Sequence, residues 1–326
     1  MVAGRRKFLV LVLLGGAAAL PGTPGAQPRV PHVGFIIPVP VSAIKPQLEA
    51  FRAGLRELGY VEGKTIQIDL RSAEGDYERL TPIAREMVNQ KVDLILAAGT
   101  PASQAAKAAT QRVPIVMVAA GDPVASGLVP SLARPGGNIT GTSNLSPELM
   151  KKRVELLIEA KPGVHRVAVL LNPVNPAQNL SYEAIRSVAK SLKVEPLKFE
   201  ARTYEEIQTA FDAMRKAGAE ALVVANDTML YVNRKFIGER ALRDRMPMAG
   251  DQTMVEAGGL IGYGSSHEIW RHSATYVDRI LRGAKPADLP IEQPDKIQLI
   301  VNLRTAKALD LVLSGSFRQR IDRVIE

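Results

Sequence analysis

The feature that most narrows the fold is an order of segments that the chain states twice. From Pro31 on, apolar runs of strand length alternate with amphipathic stretches of helix length, the signature of a parallel sheet covered by helices. In the first half, strands are expected at 32–37, 65–71, 92–98 and 114–119, with helices over 45–58, 77–90 and 102–110. The runs VDLILAA and PIVMVAA are apolar without interruption, as in strands buried on both faces. The second half repeats the order, with strands at 166–171, 194–199, 221–225 and 247–250 and helices starting near Ala177, Tyr204 and Leu230. Corresponding strands lie roughly 130 residues apart, the length of an ordinary domain. The expected fold is therefore α/β, with two similar doubly wound parallel-sheet lobes joined by a multi-strand hinge.

The boundaries follow from where periodicity stops. RPGGNITGTSNL (134–145) has none, and its Gly136-Gly137 pair marks the start of a linker between lobes. A helix is expected over 147–159, with Pro147 in its first turn. GGLIGYG (258–264) leads into a helix over 267–282 and an extended connection, and a strand at 297–302 and a helix at 305–311 finish the chain. If these late elements return to the first lobe and then to the second, the lobes are 27–142 plus about 266–294, and 143–265 plus about 295–326. Several crossings would let the lobes close while limiting the direction of motion.

Compartment is read from the first residues. Arg5, Arg6 and Lys7 precede an apolar run from Phe8 to Leu20 and a Pro/Gly-rich stretch ending at Ala26-Gln27, the order of a secretory signal peptide over 1–26. The run is shorter than the ~20 residues a membrane helix needs. Export to the periplasm is expected, by the general or the twin-arginine route. The chain has no cysteine, which removes disulfides, thiol catalysis, thiolate metal sites and a lipid-bearing cysteine. Of a net charge of +9, three charges leave with the signal, and the other cations are scattered among acids. That pattern reads as solubility, not nucleic-acid binding. The ~300 residues that remain exceed what one hydrophobic core supports.

In open parallel sheets, ligands sit beyond the carboxyl ends of the strands, where helix starts offer unpaired N–H groups. In the first half that rule selects PVPVS (38–42), GTPAS (99–103) and AGDPVASG (120–127); in the second, NPVNPAQ (172–178), NDT (226–228) and GDQT (250–253). Thr100, Ser103 and the amides after them could hold a carboxylate, and Asp227 or Asp251 an ammonium group. Asn226 lies in the same turn as Asp227. Small polar residues are also what helix N-caps require, so each of these has a purely structural reading beside the functional one. Asp122-Pro123 reads as a rigid turn. Tyr263 and Trp270 are candidate stacking partners, although aromatics at this spacing also fit a core. The glycines at 258, 259, 262 and 264 lack dinucleotide-fingerprint spacing, have no proper strand before them, and suit close backbone packing.

Enzyme signatures are missing. His267 and His272 are five apart, about 140° around a helix, so they do not share a face for metal. No G-x-S-x-G elbow or phosphate-binding loop occurs. No cofactor, metal or catalytic residue is expected. Asn138-Ile139-Thr140 is a formal glycosylation sequon for which a turn role is the simpler reading.

Three strings carry a wider likeness: GYVEGKTIQIDLRSAEGD (59–76), GDPVASGLVPSLARPGGNITGTSNLS (121–146) and KRVELLIEAKPGVHRVAVLLNP (152–173). They resemble the ABC-transporter substrate-binding family that includes tryptophan/tyrosine-type binding proteins, and the likeness runs over essentially the whole mature chain. The resemblance implies a type I periplasmic binding-protein fold, a small-molecule solute held between the lobes, and delivery to an ABC permease by a monomeric, non-enzymatic protein. It places binding loops on Thr100, Pro101, Ala102, Ser103, Asp122, Ser143, Asn172, Asn175, Asp227 and Asp251. Some members of the family resemble aromatic amino-acid binders and many have no assigned solute; the start with GGAAA (15–19) resembles the latter, and an aromatic amino acid or related carboxylate is one solute the resemblance offers. A ligand-sensing partner of a membrane receptor, or a two-lobed cleft enzyme such as a transferase, are the rival readings. A regulator's effector domain would need a DNA-binding helix pair before the first lobe, where this chain carries only the export signal.

Overall fold

The computed structural model describes residues 29–265 and 268–326; the segment read as a signal peptide and His267 lie outside the described residues. Along the first half run β1 (His32–Ile37), α1 (Lys45–Glu57), β2 (Gln67–Ser72), α2 (Leu80–Asn89), β3 (Leu94–Ala98), α3 (Gly99–Ala109), β4 (Ile115–Ala120) and β5 (Ile139–Ser143). They form a parallel sheet in the order β2-β1-β3-β4-β5. All five residues of β3 are buried, as its unbroken apolar run requires. On α1, Leu48, Phe51 and Leu55 make one stripe against the sheet, with Pro46 in the first turn.

β5 corrects the linker reading, because Ile139–Ser143 is an edge strand and not a break. Its inward side chains are threonines, so no apolar pattern announces it. Thr140 Oγ1 donates to the Leu289 carbonyl at 2.7 Å, and Thr142 Oγ1 accepts from the Ala119 amide at 3.0 Å. Those bonds remove the cost of burying hydroxyls. The sequon asparagine is tied down as well, its amide donating to the carbonyls of Thr110 and Val113.

The chain continues through α4 (Ser146–Ala160), β6 (Arg166–Leu171), α5 (Pro176–Leu192), β7 (Glu195–Glu200), α6 (Tyr204–Lys216), β8 (Ala221–Val224), α7 (Thr228–Val232), α8 (Arg234–Arg243), β9 (Met248–Gly250), α9 (Gln252–Glu256) and β10 (Ile261–Gly264). It ends with α10 (Glu268–Leu281), β11 (Gln298–Asn302), α11 (Leu303–Ala308), α12 (Gly315–Arg318) and β12 (Arg323–Ile325). The second sheet has the order β12-β11-β10-β9-β8-β6-β7. GGLIGYG contains the strand β10, and β10 pairs with β11 antiparallel, so this sheet is mixed. The cause of the reversed strand is topological. After β10 the chain leaves for the first lobe, where α10 packs on α1, β4 and β5, and β11 re-enters the second sheet from the opposite end.

The chain thus passes between the sheets three times, after β5, after β10 and before β11. Each sheet is covered on both faces by apolar clusters; full burial of each Val, Leu, Ile or Phe contributes about 1.5–3 kcal/mol. Both sheets direct the carboxyl ends of their central strands at one shared cleft.

Candidate functional site

Polar side chains gather in the cleft because strand-to-helix turns deliver them there. α3 starts directly after β3, so Gly99, Thr100 and Pro101 reach the cleft wall at its first turn. At the end of β4 the ladder to β5 slips between Met117 and Ala120, where Ala119 takes φ 52°. A bulge with a non-glycine residue in the left-handed region costs about 1–3 kcal/mol and recurs next to functional sites. From the second lobe come Asn175 before α5, Asn226 and Asp227 after β8, and Asp251 after β9. These residues bound a cavity of about 160 Å³ together with Arg153, Tyr231 and Trp270.

Asp227 is buried, and both of its oxygens are engaged. Oδ1 accepts from the Asn172 amide at 3.1 Å and the Met229 N–H at 3.0 Å, and Oδ2 accepts from the Asn175 amide at 3.0 Å. Burial raises its pKa above the usual carboxylate range, and the Asn175 and Asn172 amides oppose that shift. From the other lobe, the Tyr77 hydroxyl donates to the same carboxylate at 3.3 and 3.5 Å. Burial first, and the Asp227 charge second, push the tyrosine pKa up, so it remains a protonated donor. Asp251 Oδ1 accepts from the Thr253 and Met254 amides at 2.9 and 3.2 Å, capping α9.

Arg153 was not among the residues the sequence selected. It lies on the Met150–Val154–Leu157 stripe of α4 and is fully buried. Its Nε and one terminal nitrogen donate to the Tyr263 carbonyl at 3.0 and 2.8 Å, and the other terminal nitrogen to Asn226 Oδ1 at 2.8 Å. Among the described residues no carboxylate makes an ion pair with it. Burial lowers its pKa to about 10, and the Asp251 charge offsets only part of that. A buried guanidinium held by carbonyl oxygens and the Met150 sulfur, with no carboxylate among its hydrogen-bond partners, on a cavity wall, is a ready partner for an anion.

Of the sequence-selected residues, Thr100, Pro101, Asn175, Asn226, Asp227 and Asp251 line the cavity. The others stand behind or beside it. Ala102 packs into the first-lobe core, and Ser103 back-bonds to the Gly99 carbonyl at 2.8 Å. Asp122 accepts from the amides of Val124 and Ala125, which makes it a turn former. Ser143 is buried at the end of β5, and Asn172 orients Asp227 from behind. Tyr263 is corrected as a stacking partner: its ring packs on the second-lobe core because β10 turns it inward, and only its carbonyl serves the site. Trp270 does line the cavity. Sequence reasoning missed Gln47, Tyr77, Arg153 and Tyr231. Gln47 and Arg153 share one legible sign, a polar residue on the apolar stripe of an amphipathic helix. Among the described residues no group of His, Cys, Asp or Glu could hold a metal ion.

The lobes meet closely. Gly121 abuts Ala177 of α5, and Tyr231 of α7 packs into the first-lobe cluster beside Trp270. Two α/β lobes closed over a polar cavity through a three-segment hinge define a protein that binds its ligand between lobes. Residues 32–325 match the family described as ABC transporter substrate binding protein, and the chain belongs to that family. It is 30% identical over 265 residues to a tyrosine-binding protein of Clostridioides difficile (strain R20291), covering 81% of this chain and 76% of that one. It is 25% identical to the crystal structure of an ABC domain in complex with L-Trp from Streptococcus pneumonia, covering 90% of this chain and 100% of that one, with a TM-score of 0.82. Against the ligand-free, open structure of a substrate-binding protein with adhesive properties from Clostridium difficile, identity is 27%, coverage is 91% and 99%, and the TM-score is 0.64. The overlap is greater with the L-Trp complex than with the ligand-free, open structure, and in this chain the lobes touch at Gly121 and Ala177 and at Tyr77 and Asp227.

The family is one of solute-binding proteins, not of enzymes; its members bind small solutes, interact with permeases and are typically extracytoplasmic. Among the described residues no helix is long and apolar enough to cross a membrane.

Proposed function

We propose that this protein captures an aromatic amino acid in the cleft and delivers it to the permease of an ABC importer, as an exported periplasmic monomer with no chemistry of its own and no nucleic-acid partner. The observation that carries the solute class is the cavity's division of charge. Arg153, Asp227 and Asp251 all stand on the second lobe, whereas Ile44, Ile269 and Trp270 face them from the first. One cation and two acids suit a zwitterion better than a bare carboxylate, which would add a second uncompensated negative charge in a buried site. In this reading Arg153 and the first amides of α3 hold the carboxylate, Asp227 and Asp251 take the ammonium group, and the side chain lies against Trp270. The names of the two relatives, one a tyrosine-binding protein and one solved with L-Trp, support the same class.

The solute shifts the open and closed forms by its differential affinity for them, and needs no covalent step. Thermal-shift titration of the mature protein with L-tyrosine, L-tryptophan, 3,4-dihydroxybenzoate and myo-inositol tests this. An amino acid at ~100 times its Kd should add about 2.7 kcal/mol of stability. A shift with the carboxylate or the polyol and none with either amino acid would sink the assignment.

A further inference from the structure

One buried acceptor in the cleft has no role in the reading above. Gln47, on α1, is 6% exposed and lines the cavity, and its Oε1 accepts no hydrogen bond from any protein group. Gln178 is a useful contrast. Its Oε1 is also without a partner, but its amide is anchored to the Asn226 carbonyl at 2.7 Å and it stands off the cavity wall. Gln47 has no such anchor. Ile44, Ile269 and Trp270, which line the same cavity from the first lobe, are apolar, and Gln47 lines it from that lobe whereas Arg153, Asp227 and Asp251 line it from the second.

Helix α1 does not need a polar residue there. Gln47 stands one turn before Phe51 on the buried face, next to Leu48, where leucine would pack and leave nothing unpaired. A buried acceptor without a donor is costly, and buried polar groups are normally paired. Because Gln47 lines the cavity, separating the lobes would bring water to it, and in this inference the burden falls on the closed form.

We infer that Gln47 is the specificity residue of the cleft: its Oε1 accepts a hydrogen bond from an N–H or O–H at the far end of the solute's apolar side chain. This deepens the reading of the solute as an aromatic amino acid and rests on it. A zwitterionic head held on the second lobe points its ring at the first, and the ring must then carry a polar hydrogen, as a phenol or an indole does and a phenyl group does not. Sites built to bond such a hydrogen reject the analogue lacking it strongly, because the acceptor is left unpaired. The same acceptor disfavours closure without solute, so that a ligand with the right donor both binds and permits closing.

The test is a comparison of affinities by calorimetry in wild type and Gln47→Leu, with L-tyrosine, L-tryptophan and L-phenylalanine as probes. Wild type should prefer tyrosine or tryptophan over phenylalanine by tenfold or more, and in Gln47→Leu that ratio should fall to about one, with phenylalanine binding unchanged or tighter. A merely structural glutamine would weaken all three alike. Small-angle scattering of the solute-free proteins gives a readout independent of ligand: the closed population should rise about tenfold in Gln47→Leu. Equal wild-type affinity for all three probes, or a ratio that survives the substitution, overturns the inference. If wild type binds none of them, the solute reading fails by itself, and scattering decides Gln47: added closure supports its unpaired acceptor as the brake, and no change overturns it.

Discussion

Closure can be blocked by a single methyl group. Gly121 ends the β4 turn in the first lobe, and a Cβ placed on it would lie 2.4 Å from the Cβ of Ala177, at the start of α5 in the second lobe. Carbon atoms in contact sit at about 3.5–4.0 Å, so Gly121→Ala demands more than ~1 Å of separation at this point. Neither side can yield easily, since Ala177 has no rotamer and α5 is packed against α4. Gly121 is not among the glycines with positive φ, so alanine fits the backbone and the first lobe should fold normally. Overpacking of this kind costs about 1–3 kcal/mol; the Ala177 clash falls on the closed form alone, and the Thr100 hydroxyl of the same lobe, 3.2 Å from the new Cβ, has only to give slightly. The expected result is a Kd for solute weakened about 5- to 150-fold, with solute-free stability changed by no more than ~0.5 kcal/mol. Calorimetric titration and denaturant unfolding measure the two quantities. Ala177→Gly in the same chain removes the clashing atom and should restore most of the affinity. If Gly121→Ala binds as tightly as wild type, or the second change restores nothing, the closed arrangement described here is not the binding form.

Four other outcomes are expected. Tyr77→Phe removes the hydroxyl that bonds Asp227 across the lobes; at 3.3 Å the bond is long, so a loss near 1 kcal/mol and an affinity lower by about fivefold are expected, and unchanged affinity with unchanged scattering would refute a latch. Asp227 has a raised pKa, so the folded protein holds this proton to higher pH than the unfolded chain does. Its contribution to stability is fullest below the unfolded value and declines as pH rises toward the folded one, whereas the ammonium of the solute needs the ionised form. Affinity should therefore fall on acidification from pH ~7 toward ~4, and a flat calorimetric profile over that range would exclude Asp227 as the ammonium partner. Arg153→Met should cost L-tyrosine far more affinity than tyramine, which lacks the carboxylate; equal losses for both ligands would mark Arg153 as structural only. Gly238→Ala places a Cβ 1.9 Å from the Ala257 carbonyl oxygen within the second lobe, so destabilisation of ~3 kcal/mol or more should appear in denaturant unfolding, and a wild-type midpoint would contradict the packing of α8 on α9.

What the sequence determined by itself is whatever depends on local periodicity and cap chemistry. The unbroken run at 166–171 is β6 to the residue, and Thr203, whose hydroxyl accepts from the Glu206 amide, starts α6 at the expected Tyr204. The same local chemistry selected Thr100, Asn175, Asn226, Asp227 and Asp251, because strand-to-helix turns use small polar residues and also face the cleft. Tertiary structure alone decided the rest. β5 (ITGTS) and β10 (IGYG) are interrupted by threonine or glycine and become strands because β4, β9 and β11 supply their ladders. Gln47 and Arg153 show only a polar residue on an apolar helix stripe, and Tyr77 shows no local sign of a site. Tyr77 meets Asp227 only across the lobes, Arg153 meets Asn226 and Tyr263 only through the second-lobe fold, and no window of sequence contains both partners. That is the physical reason a repeated α/β pattern reveals the lobes and the loops between them, whereas the groups that meet inside the cleft emerge only from the fold.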